Sequence, residues 1–150
     1  MGNFGNFERT LDDNLRVAIP TKFKDHFGSR FFLFRTFNNV LEMWTDADFN
    51  AESQKLDLID LRDIEAIKYK RAFYQRIEEV TVDKVGRIKL TNNIVEKTSI
   101  KKDVVFVGIG NKVEIWSKEA YDSFDDEMND EAYAKAATAI FNRNDKKGSE

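Results

Sequence analysis

The chain states one pattern twice, about 71 residues apart, and that repetition limits the folds open to it. Thr10 to Ile19 (TLDDNLRVAI) lines up with Thr81 to Leu90 (TVDKVGRIKL). Further on, Leu41 to Thr45 (LEMWT) lines up with Val113 to Ser117 (VEIWS). Each copy runs from a strand, through an Asp-x-x-x-Arg turn, to an apolar strand that ends in Trp and a hydroxyl residue. Two copies in 150 residues imply one internally pseudo-symmetric domain rather than a solenoid.

The pattern predicts β-β-α-β-β-α in each copy. In the first, Phe7 to Asp12 alternates polar and apolar residues, and Arg16 to Ile19 resumes as a strand. Pro20 then suits the start of a short helix, Thr21 to Phe27, closed by Gly28. Phe31 to Phe34 and Val40 to Trp44 pair around Asn38-Asn39, and Thr45 caps a helix reaching about Leu56. Residues 60–76 carry a helical period joining the copies, with Lys68, Lys70, Arg71 and Arg76 in its second half. The second copy repeats the order from Glu79, with a helix over Asn93 to Thr98 and a hairpin turning at Gly110-Asn111. A last amphipathic helix spans Glu127 to Phe141.

A four-stranded unit leaves one sheet face open, so two such units are expected to pack together and close a barrel. The boundaries expected are 7–56 for the first half, 57–77 for the linker helix, 78–125 for the second half and 126–150 for the C-terminal helix and tail.

Composition narrows the chemistry. The chain has no Cys, which excludes disulfides, thiolate metal sites and cysteine catalysis. No run approaches the roughly 20 apolar residues of a membrane span, and the N-terminus lacks the features of a signal peptide, so a soluble intracellular protein is expected. The net charge of −3 is uneven: residues 117–150 hold nine acidic and five basic residues, whereas residues 1–116 hold nineteen basic and eighteen acidic. Local patches therefore decide whether nucleic acid binds. His26 is the only His and lacks a ligand partner, Gly108-Ile109-Gly110 precedes a strand instead of a phosphate-binding helix, and the paired carboxylates have no nucleophile beside them. No enzyme, metal site or cofactor is expected.

The Asp-x-x-x-Arg turns carry the functional signal. An Asp opening a tight turn accepts backbone N–H bonds, which casts Asp12, Asp83 and Gly86 as turn-structuring residues. Gly86 allows a positive φ; Leu15 at the matching place would cost roughly 1–2 kcal/mol there, so either that turn differs or packing offsets the strain. Alternation places Arg87 beside Lys89 on one face, with Ile88 and Leu90 toward the core. Arginines presented on a β-ribbon can read guanine edges or phosphates in a major groove. The same motif also reads as a plain ion pair locking the turn. Trp44 and Trp116 read as core plugs.

The order of these elements and the wording of the turns resemble the MraZ family, built from two swapped-hairpin half-barrels of the SpoVT–AbrB type. Asp83-Lys84-Val85-Gly86-Arg87-Ile88 and Lys102 to Trp116 carry the resemblance in the second copy; Asp12, Arg16, Ile19, Pro20, Lys22 and Phe23 carry it in the first, and Arg71 to Arg76 in the linker. Departures are Leu15 for Gly, Asn14 for a basic residue, Thr91 for Pro, and a shortened stretch between Arg76 and Asp83.

The resemblance implies an α+β, mainly β fold: a pseudo-two-fold duplicated double-split β-barrel with flanking helices. It also implies a sequence-specific DNA-binding transcriptional regulator of a bacterial cell-division and cell-wall gene cluster, including its own gene. DNA contact falls to Arg16 and Arg87, supported by Asn14, Lys22, Lys84 and Lys89. The partners are double-stranded promoter DNA with direct repeats and further copies of the chain in a ring, without a membrane; the location is the cytoplasm, at the nucleoid. The competing reading is a ring-forming scaffold or protein-interaction module that does not touch DNA.

Overall fold

The computed structural model describes residues 2–148. The chain divides into two compact units, one ending at Lys118 and one beginning at Glu119. In the first unit the first copy supplies β1 (Asn3–Thr10), β2 (Arg16–Ala18), α1 (Thr21–Phe27), β3 (Arg30–Arg35), β4 (Leu41–Trp44) and α2 (Asp46–Asp57). After α3 (Ile64–Gln75) the second supplies β5 (Ile77–Thr81), β6 (Arg87–Lys89), α4 (Asn92–Thr98), β7 (Asp103–Gly110) and β8 (Val113–Ser117). The second unit holds most of α5 (Lys118–Glu127) and α6 (Asp130–Gly148). Tyr133, Ile140 and Phe141 of α6 are exposed.

The copies interleave. One antiparallel sheet runs β1-β7-β8-β4-β3-β5, and a separate two-stranded ribbon pairs β2 with β6. Exchanging each first-copy strand for its second-copy counterpart reverses the sheet order and leaves it otherwise unchanged. A pseudo-two-fold therefore passes between β4 and β8 and between β2 and β6. Each copy's first strand pairs with the other copy's third strand: β1 with β7, β5 with β3.

Two apolar clusters follow from strand alternation. On one face, Phe31, Leu33, Met43, Val80, Val104, Phe106 and Ile115 meet Val17 and Ile88 of the ribbon and Phe23, Phe27 and Ile94 of α1 and α4. On the other face, beside α2 and α3, Trp44, Leu56 and Phe73 gather Phe32, Phe34, Phe49 and Ile77. Trp44 is a core plug, as expected.

Local chemistry sets the boundaries. Thr45 and Asp48 form a reciprocal capping box on α2, Asp63 caps α3 through the Glu65 and Ala66 N–H groups, and Thr91 caps α4 through Ile94. The linker helix is thus shorter than 60–76, because the Asp63 cap starts it at Ile64; Leu61 lies outside it, exposed. Conversely β1 begins four residues before Phe7. Its Gly5 (φ 100°) faces Gly108, where a Cβ would come within 2.5 Å of the Phe4 backbone nitrogen. Only glycine allows that approach.

Candidate nucleic-acid interface

The ribbon gathers most of the predicted residues. Its register pairs Arg16 with Lys89, Val17 with Ile88 and Ala18 with Arg87. Residues directly opposite in an antiparallel pair point the same way. Val17 and Ile88, fully buried, fix one side to the core, so Arg16, Lys89 and Arg87 share the outer side. The strand ends are tied across copies: Ile19 N–H donates to Gly86 O at 3.0 Å, and Leu90 N–H to Leu15 O at 2.9 Å.

Both turns have the same hydrogen bonds. Asp12 Oδ1 accepts the Asn14 and Arg16 backbone N–H groups, each at 2.9 Å. Asp83 Oδ1 accepts those of Val85 at 3.0 Å and Arg87 at 2.9 Å. Leu15 takes φ 61° where Gly86 takes 85°, so the turns share one shape and Leu15 adopts the strained conformation. Packing offsets it, since Leu15 lies half-buried against the main core together with Val95.

The arginines reach across the pseudo-two-fold. Arg87 Nη1 donates to Asp12 Oδ2 at 2.9 Å and its Nε to Asp83 Oδ2 at 3.2 Å, while Arg16 Nη1 lies 3.4 Å from Asp83 Oδ2. The ion-pair reading of the motif is therefore physically present, and it links turns as well as closing them. Among the described residues Arg87 Nη2 has no protein hydrogen-bond partner. Each carboxyl is held below its usual range: Asp12 first by the Arg16 backbone N–H, with the Asn14 N–H and both arginines adding to it against partial burial. For Asp83 the Arg87 backbone N–H leads in the same way. Both carboxylates stay ionised and act only as acceptors.

Lys84 is exposed in the second turn and Asn14 in the first. Lys22 is not brought to the ribbon; its Nζ stands 3.3 Å from the centroid of the Phe4 ring. Lys24, which the sequence reasoning passed over, lies beside the second turn, where a Cβ on Gly86 would come within 2.5 Å of its Nζ. Aligning the copies offers the signal: Lys24 matches Val95 as Gly86 matches Leu15. Among the described residues no group of three or more His, Cys, Asp or Glu is placed to hold a metal, and no helix is long and apolar enough to cross a membrane.

Comparison with known proteins decides the relationship. The family model described as "MraZ protein, putative antitoxin-like" matches twice, over residues 4–72 and 73–144. The chain belongs to the MraZ family. A protein named Transcriptional regulator MraZ from Mycoplasmopsis pulmonis is 46% identical over 131 residues, covering 87% of this chain and 89% of its own. Those of the same name from Mycoplasma mobile and Caldanaerobacter subterraneus are 36% and 35% identical, covering 90% and 80% of this chain and 92% and 84% of their own. MraZ proteins are regulators and not enzymes.

Proposed function

We propose that this chain is a transcriptional regulator that binds promoter DNA through the β2–β6 ribbon. The observation that carries the reading is a ribbon clamped to the core on one side, with Arg16, Arg87 and Lys89 together on the other and their turns held by reciprocal Asp–Arg contacts. A two-stranded ribbon fits a major groove, and a fixed guanidinium reads guanine or grips phosphate. Asn14 and Lys84 at the turn tips reach the flanking backbone; Lys22 would do so only by leaving the Phe4 ring.

The finer parts of the reading rest on family membership. The target is a bacterial cell-division and cell-wall gene cluster with the chain's own promoter, and the working place is the nucleoid. The domain boundaries stay as 7–56, 57–77, 78–125 and 126–150, with sheet and ribbon closing one double-split barrel. A closed ring of copies engages direct repeats, because two short basic loops give one protomer few phosphate contacts and linkage multiplies weak affinities by about 10²–10⁴. Light scattering that finds a monomer holding a single box tightly removes the ring from this reading.

The decisive test is a gel shift on the DNA upstream of the chain's own gene. Arg16→Ala or Arg87→Ala should weaken binding by roughly 1–3 kcal/mol and relax preference at one base, whereas Lys89→Ala should weaken all sequences alike. Unchanged affinity in both arginine variants overturns the assignment.

A further inference from the structure

Lys24 stands at a place where the two copies part. It lies in the last turn of α1, between Phe23 and Phe27, whose buried rings fix that helix to the core. Half-buried itself, it lays its ammonium over Gly86 of the second turn: a Cβ on that glycine would come within 2.5 Å of Nζ and 3.2 Å of Cε. Leu15 and Val95 hold the two matching places at the first turn, and both pack on the main core. An apolar pair at one turn is thus exchanged for a glycine and a cation at the other, where the exposed Lys84 stands as well.

The carboxylates of the turns are committed elsewhere. Asp83 Oδ1 accepts the Val85 and Arg87 backbone N–H groups, and its Oδ2 meets Arg87 Nε and Arg16 Nη1. Asp12 Oδ2 accepts from Arg87 Nη1. Among the described residues Lys24 Nζ has neither an acidic partner nor a hydrogen-bond acceptor. An ammonium carried on an anchored helix, with its counter-charge missing, is open to an anion from outside the chain. We propose that Lys24 grips a backbone phosphate of DNA beside the second turn, a contact that the first turn, with Val95 in that place, does not make. This rests on the reading of the ribbon as the surface that meets DNA. A lysine is a compact point charge with three rotatable donors, suited to a phosphate oxygen and indifferent to the base beside it.

The test is fluorescence anisotropy of the full chain on the duplex upstream of its own gene, over a series of salt concentrations. Lys24→Met and Lys24→Gln keep a stem over Gly86 and remove the charge. Each should lower the slope of log affinity against log salt by about 0.9, the share of one phosphate, and weaken a scrambled duplex by the same factor as the promoter. Duplexes carrying one neutral methylphosphonate at a time locate the contact: at least one linkage that weakens the parent should have no effect on either variant. A lysine that only props the turn would lower affinity without erasing the effect of any linkage. The proposal is overturned if the slope stays that of the parent, or if the variants respond to every linkage as the parent does. Either result strikes Lys24 alone as long as Arg16→Ala and Arg87→Ala still weaken binding. No binding by the parent, or unchanged binding by both arginine variants, strikes the ribbon reading and this contact with it.

Discussion

Asp12 and Asp83 each fasten a turn through two backbone N–H groups, and their charge matters to stability. Their carboxyls lie below the ordinary range in the folded chain, so the unfolded chain binds protons first as pH falls. The stabilisation they give is complete above the unfolded value of about 4 and drains away as pH drops through the folded values. The urea midpoint should fall between pH 7 and pH 3, and fall less in Asp12→Asn or Asp83→Asn; equal losses would show that these carboxylates do not contribute. At this scale the sequence was informative, because an Asp-x-x-x-Arg turn is local chemistry. Its reach was not: that Arg87 would bind Asp12, 75 positions away, depends on which strands pair. Leu15 shows the opposite case, where packing against the core overrides a backbone preference readable from the sequence.

Among the elements, β4 and β8 meet at the pseudo-two-fold and set Glu42 directly opposite Glu114. Each carboxylate accepts the indole N–H of the Trp two residues on, at 2.8 Å from Trp44 and 3.0 Å from Trp116. Burial, and to a smaller degree the charge of Glu42, pushes the Glu114 carboxyl up despite the Trp116 bond. Glu114→Gln keeps an acceptor for Trp116 and removes the repulsion, so it should stabilise the chain by about 0.5 kcal/mol at pH 7. That gain should shrink as pH falls and Glu114 is protonated in the parent; chemical unfolding at pH 7 and pH 4.5 measures both. The Glu-x-Trp repeat was visible in the sequence as a matched motif. The facing of its two carboxylates was not, since strand alternation gives the side of a residue but never its neighbour across the sheet.

For the molecule as a whole, interleaving leaves each copy only its own hairpin, β3–β4 or β7–β8, and every other pairing crosses between copies: β1 needs β7, β2 needs β6, β5 needs β3 and β4 needs β8. A fragment of residues 2–62 should show little ordered structure by circular dichroism, and mixing it with residues 63–118 should restore the signal. A first-copy fragment folded as a monomer would contradict the pairing. The unequal turns add a consequence of their own. One end of the ribbon carries Gly86 beside Lys24 and Lys84; the other carries Leu15 beside Asp13 and Asn14, with Val95, the counterpart of Lys24, packed on the main core. Two identical ends would grip a stretch of duplex equally well whichever way it lay. Ends that differ in charge give the ribbon a front and a back, so a duplex bound as proposed above would lie across it in one preferred direction.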